Sequence, residues 1–247
     1  MNPFPRQCEI FTPKNFEDTV IGLSLEPKVI TRCPDQWVGD VECFNHGFEY
    51  LDEGNKGFNK RLNLVNSLMS IPMKRIVLVI ESPHIYEFEF CHVSNESKAI
   101  GPANRATGYN IRNYINVPTR EFLKLNFVNS QDVFALIIMN SVSYQCSLGK
   151  KLGGPKNIAS RKDRDNVFRA CWVAAKQDFC SRLTSYLTNE TLVINACTKG
   201  QHKVGSGCQW LRDMVDDAIV ECGVQTERYI RRCHPASLPN WRSGNSW

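Results

Sequence analysis

Five side chains able to exchange protons or hydrogen bonds fall within one short stretch: Glu81, Ser82, His84, Tyr86 and Glu87. They follow directly on Arg75-Ile-Val-Leu-Val-Ile80, an apolar run rich in β-branched residues that reads as a buried strand. Pro83 cannot donate to a ladder, so the strand is expected to end near Ser82. In open parallel sheets ligands bind beyond the carboxyl ends of the strands. Chemistry is therefore expected at this tip and at the tips beside it.

Three further tips carry polar groups. The apolar run from Asp132 to Met139 ends in Asn140-Ser-Val-Ser, and the run from Thr191 to Ala196 ends in a polar turn through Lys199, Gly200 and Lys203. A last strand over roughly Gln225 to Arg232 delivers His234. Taken singly, Asn140 could cap a following helix and His234 could be an ordinary loop histidine. Four polar tips on one rim point to a site.

Helical segments separate these strands. Phe58, Leu62, Val65 and Met69 recur at helical spacing, Tyr109 to Ile115 and Thr119 to Phe127 read as helical, and a long helix is expected over Asp163 to Leu187. Ser206 and Gln209 fit a capping box for a helix that Gly223 would terminate. Strands alternating with helices predict a three-layer α/β/α fold around a central four-stranded, mostly parallel sheet. Residues 1–57, with many Pro, Gly, Asn and acidic residues, read as an irregular cover, and 58–247 as the core of a single domain spanning 1–247.

Composition narrows the function classes. No run of about eighteen apolar residues occurs, so no membrane partner is expected, and the first residues lack a signal-peptide pattern. A cytoplasmic location follows as an expectation, and it leaves the sequons at Asn95 and Asn189 without weight. The eleven cysteines include no C-x-x-C pair, so buried reduced thiols are expected rather than a metal or cluster, and no cofactor is called for. The net charge of +5 is mild, but the basic residues cluster. Lys150, Lys151 and Arg161 lie close in sequence, and Arg228, Arg231, Arg232 and Arg242 surround His234-Pro235. Such clusters favour a polyanion, with nucleic acid the usual one. There is no Walker A, no G-x-G-x-x-G after the first strand and no G-x-S-x-G elbow.

The order of the tips resembles the uracil-DNA glycosylase superfamily. Val79-Ile-Glu-Ser-Pro-His84 is similar to its first motif and Leu136-Ile-Ile-Met-Asn-Ser-Val142 to its second. Val193 to Gly200 is similar to its third, and His234-Pro-Ala-Ser-Leu-Pro239 matches its last with one residue changed. The resemblance covers about Arg75 to Arg242. It implies a glycosylase-like fold and a monofunctional enzyme that flips a base out of DNA and leaves an abasic site. No protein partner is implied.

The resemblance also assigns roles. Asn140 would read the pyrimidine edge and His234 would donate to the leaving base. Glu81 or Glu87 would position water, with Ser82 and His84 as weaker orienters, although either glutamate could instead pair with an arginine. Tyr86, Phe88 or Tyr109, or the neighbouring Phe90, would stack on the base. Leu238 would wedge the duplex beside Ser237, Trp241 and Arg242, while Lys150, Lys151, Arg161, Lys199 and Lys203 would meet phosphates. Two positions depart from the family pattern. Ser82 stands where an acidic residue or asparagine is usual, and His84 stands where the uracil-specific branch has tyrosine. The missing tyrosine and the polar stretch Ile85-Tyr-Glu87 favour a 5-modified pyrimidine, in line with bacterial defence glycosylases that remove hypermodified cytosine from phage DNA, whereas Ser82 favours a member of the fold that binds without cutting. A uracil or mismatch repair enzyme, a non-catalytic binder and an enzyme of free nucleosides are the alternatives.

Overall fold

The structure is a computed structural model that describes residues 32–51, 72–91, 96–103, 106–144, 146, 149–150, 157–158, 161–200 and 209–237. Its strands are β1 (Gln36–Phe44), β2 (Gly47–Tyr50), β3 (Arg75–Ile80), β4 (Phe88–Cys91), β5 (Glu96–Ala99), β6 (Val133–Asn140), β7 (Gly149–Lys150), β8 (Asn157–Ile158), β9 (Thr191–Asn195) and β10 (Tyr229–Arg231). Its helices are α1 (Ala106–Tyr114), α2 (Asn116–Thr119), α3 (Arg161–Tyr186) and α4 (Leu211–Glu221). The helix expected from Phe58 to Met69 lies outside the described residues.

The fold is α/β with a mixed six-stranded sheet in the order β10-β9-β3-β6-β1-β2. The expected four-stranded, mostly parallel, glycosylase-like sheet is corrected to this larger mixed one. The four strands legible in the sequence are mutually parallel, and β1 and β2 extend them antiparallel beyond β6. Residues 36–50 are thus part of the sheet rather than an irregular cover. β1 is harder to read because Gly39 interrupts it. The register against β6 shifts between Trp37 and Gly39, where φ is +143° and the Tyr50 ring stands where a Cβ would project. The connection expected from Cys91 to Thr107 contains β5, which pairs antiparallel with β4 just before it.

β3 is buried along its whole length because both faces are covered. Val77 and Val79 pack with Phe168, Cys171 and Phe179 of α3 and with Val215 and Ile219 of α4. Ile76, Leu78 and Ile80 face the other way, onto Ile111 of α1, Ile115 and Phe122. Period-two alternation thus feeds two cores from one continuous apolar run. Gly223 adopts φ +83° after α4, as its capping role requires. α4 begins only at Leu211 with no side-chain cap, Gln209 reaches Asp217 at 2.7 Å, and Ser206 lies outside the described residues.

A buried ion network fixes the end of β6. Arg182 of α3 pairs with Asp35 at 2.6 Å and Asp178 at 2.7 Å, and donates to the Asn140 carbonyl at 3.1 Å. Burial pushes the Asp35 carboxyl up, and the Arg182 charge opposes that shift. Replacing Arg182 by leucine would leave two carboxylates without this partner in a dry site. Arg182→Leu is expected to cost about 3–5 kcal/mol in a denaturant melt, and a loss below about 1 kcal/mol would show that the network does not hold this strand.

Candidate active site at the strand tips

Parallel pairing sets the height of each tip. Ile80 is level with Asn140, Val79 with Asn195, and Arg231 with Asn195. The chain leaves β3 toward β6 on one side and leaves β9 toward β10 on the other. Outgoing loops that diverge between adjacent strands open a crevice at their carboxyl ends. Here that crevice lies between the tips of β3 and β9.

Glu81 follows β3 and is 4% exposed. Its carboxylate takes a hydrogen bond from Thr198, beyond β9, and lies 3.7 Å from the Arg164 guanidinium at the start of α3. Burial raises its pKa, Arg164 and Thr198 pull it down, and Asp165 pushes it up. Pairing with an arginine, one of the two alternatives for the glutamates, is thus what Glu81 does while remaining in the crevice. Glu87 ends the 3₁₀ turn Ile85–Glu87. It is buried, and Oε1 accepts from the Ala103 amide at 3.0 Å, so it braces the 101–103 turn. The Ser82 hydroxyl is buried with no hydrogen-bond partner.

Asn140 is the last residue of β6 and is fully buried. Its carbonyl is held by Arg182, yet neither side-chain polar atom has a hydrogen-bond partner. Bends rather than a helix follow it, so it caps nothing. Asn195, at the equivalent height on β9, is by contrast satisfied by Asp216 at 2.6 Å, the Arg212 carbonyl and the Cys197 amide. It is a structural residue, whereas Asn140 keeps an unfilled donor–acceptor pair.

His234 stands in a turn closed by the Ser237 amide on its carbonyl at 2.8 Å. The Asn110 amide of α1 donates to the Pro235 carbonyl at 2.6 Å, which ties this turn to α1. Nδ1 of His234 accepts from the Ala236 amide at 3.1 Å, so the neutral ring carries its proton on Nε2. Burial and then the Arg164 charge push its pKa down to about 4.

The remaining predicted residues divide. His84 stacks on Tyr86 at 4.9 Å between centroids, and Tyr86 is 48% exposed. Tyr109 stands exposed on α1, while Phe88 is buried where β4 begins. Arg161 is exposed at the start of α3, and Lys199 lies over the Trp210 ring at 4.9 Å. The side chains of Phe90 and Lys150 are outside the described set, as are residues Lys151, Lys203, Leu238, Trp241 and Arg242. Three of the arginines expected to surround His234 for DNA make internal contacts. Arg231 pairs with Asp216 at 2.6 Å, Arg232 with Glu121 at 2.8 Å, and Arg228 covers Phe127. Sequence reading missed Arg164, Asp165 and Thr198. Arg164 closes the basic run Arg161-Lys-Asp-Arg164, and nothing local distinguishes it from its exposed neighbour Arg161.

The structure therefore defines an α/β protein with an ionisable crevice at the switch point of its sheet. No helix among the described residues is long and apolar enough to cross a membrane, and no group of metal-ligating side chains occurs among them. The eight cysteines whose side chains are described are all unbridged. No family model, curated protein or solved structure matches the chain.

His234 supplies a check on this geometry. Its unfolded value is near 6.5 and its folded value near 4, so the unfolded chain binds the proton first as pH falls. Stability is therefore lost as pH drops from about 6.5 to about 4. Thermal melts of His234→Gln across that window should fall less steeply than those of the native chain. Parallel curves would show that the imidazole is not held neutral.

Proposed function

We propose that the protein is a monofunctional DNA glycosylase that hydrolyses the N-glycosidic bond of a flipped pyrimidine. The observation that carries this reading is the side-chain amide of Asn140, fully buried at the tip of β6 beside β3, with donor and acceptor both unfilled. Buried polar groups are nearly always paired, and an orphaned pair invites a ligand. One donor beside one acceptor complements the edge of a pyrimidine.

The crevice supplies the other parts. Glu81 accepts a proton from water as the water oxygen bonds to the anomeric carbon and the C–N bond breaks. The departing base takes the bonding electron pair. Nε2–H of His234 donates to the oxygen on which that charge collects, and the base is then protonated from solvent. A neutral imidazole suits this role because its N–H donates a hydrogen bond while, as a very weak acid, keeping its proton. Arg161 and Lys199 would contribute to phosphate contacts.

The substrate class follows from the turn after β3. His84 occupies the position after Pro83, and the Tyr86 ring stacks on it with much of its surface in solvent. That arrangement favours a base carrying a substituent at its 5-position, including the hypermodified cytosines of phage DNA. Release should be assayed on single- and double-stranded DNA carrying uracil, mismatched thymine, hydroxymethylcytosine or its glucosylated form, with alkali-labile abasic sites as readout. Release of a 5-modified base is expected. Uracil as the sole product would sink the substrate class, and binding without release would leave a non-catalytic nucleic-acid binder.

Two variants test the chemistry. His234→Ala should lower kcat by about 100- to 1000-fold, and Asn140→Ala should also cut turnover, with melting curves checking the fold of each. Unchanged rates would misplace the site. The rate should fall on the acid side as Glu81 becomes protonated, at a pH above the ordinary carboxylate value of 4.5, because its folded pKa is raised. An acid limb at or below 4.5 would remove Glu81 from the role.

A further inference from the structure

The seam between α3 and α4 holds two thiols that the reaction outlined above does not use. Cys180 lies on α3, and Cys222 is the residue that caps the carboxyl end of α4. Cys222 Sγ lies 3.7 Å from the Cys180 carbonyl oxygen, and Cys180 Sγ lies 3.9 Å from the Ala218 carbonyl oxygen. The same Ala218 carbonyl accepts the Cys222 amide at 3.1 Å. Each sulfur thus reaches the main chain of the other cysteine's turn, and the two thiols stand within hydrogen-bond reach of each other. One helical turn before Cys180, Lys176 pairs with Glu221 at 2.7 Å and closes the same seam. Cys146 and Cys171 form a second such thiol pair, but both are buried, whereas Cys180 and Cys222 are half-buried. Reagents in solvent therefore reach the first pair and not the second.

We propose that Cys180 and Cys222 form an oxidative modification site, at which a hydroperoxide converts the two thiols into a disulfide that ties α3 to the end of α4. The site is independent of the glycosylase reading. Cys180 is the attacking sulfur, because burial and then Cys180 itself push the Cys222 thiol up to about 12 and keep it protonated. The Cys180 thiolate attacks an oxygen of the hydroperoxide, an S–O bond forms and the O–O bond breaks. The departing oxygen takes up the proton that Cys180 gave, and water or an alcohol leaves. Cys180 is now a neutral sulfenic acid, so its charge no longer opposes ionisation of Cys222. The Cys222 sulfur attacks the sulfenic sulfur, the S–O bond breaks, and hydroxide leaves as water with the Cys222 proton. Two electrons pass from the thiol pair to one hydroperoxide. The new bond closes a loop across 42 positions of the chain, which restricts the unfolded state.

The test treats the folded full chain with hydrogen peroxide, blocks remaining thiols with N-ethylmaleimide, and maps tryptic peptides without reduction. Cleavage after Lys176, Arg182, Arg212 and Arg228 isolates Cys180 in peptide 177–182 and Cys222 in peptide 213–228, each as its single cysteine. The expected product is these two peptides joined, two hydrogens lighter than their sum, and separated again by dithiothreitol. The oxidised chain should melt about 5–10 °C higher than the reduced one. Cys180→Ser and Cys222→Ser should each abolish both the joined peptide and the rise in Tm. Sulfinic acid on Cys180 with no link, or a first link through Cys146 and Cys171, overturns the inference. So does a rise in Tm that persists in Cys222→Ser. The peptide map of the native chain decides the matter even where a serine variant does not fold.

Discussion

The site depends on main-chain pairing that continues past the ends of the parallel strands. The Ser141 amide donates to the Ile80 carbonyl at 2.8 Å and the Val142 amide to the Glu81 carbonyl at 3.1 Å. The Ala196 amide donates to Val79 and the Arg232 amide to Asn195, both at 2.8 Å. The Ser141 hydroxyl adds a bond to the Glu81 carbonyl at 2.6 Å. A parallel ladder normally releases its strands into independent loops at this point. Here the loops stay in register for another residue or two, so Glu81, Asn140 and His234 are placed by the sheet. Backbone hydrogen bonds in a buried setting are costly to break, which makes the geometry of the tips stiff.

Charge is handled by the same helix at two places. Arg182 and Arg164 both belong to α3, and both are buried against carboxylates. Arg182 has two carboxylate partners and also binds the backbone at the end of β6, so it is absorbed into structure. Arg164 spends its close contacts on Asp165 and stands off from Glu81. The first arrangement is closed, while the second leaves a carboxylate oxygen without a hydrogen bond beside a cation. Helix, sheet and electrostatics meet at Glu81, which is why the crevice rather than the basic surface is the part of the molecule suited to chemistry.

The strands were largely legible from the chain. Arg75–Ile80 forms β3 as read, and β6 and β9 lie within one residue of their expected limits, because a β-branched apolar run bounded by polar residues is a local signal. The last strand shortened to Tyr229–Arg231 behind a 3₁₀ turn. β1 was not legible: its sequence mixes Gln36, Asp40 and Glu42 with a bulge glycine, and its pairing with β6 is made across almost a hundred residues. Side chains that ended up bonded to distant groups, such as Glu87 to the Ala103 amide and Arg232 to the Glu121 carboxylate, carried no local mark of that fate.

The sequence alone therefore determined the α/β character, the parallel run of four strands and the residue types at their tips, since hydrophobic periodicity and strand-ending prolines act over a few neighbours. Only the tertiary structure decided that the sheet has six strands, that Glu81 lies by Arg164 while Glu87 accepts from the Ala103 amide, and that Asn140 is left unsatisfied while Asn195 is not. It also decided that Arg164 turns inward and that Arg231 and Arg232, near His234, are spent on ion pairs with Asp216 and Glu121. Each of these depends on which distant group comes within hydrogen-bond reach, and that is fixed by strand register and helix packing rather than by any spacing along the chain.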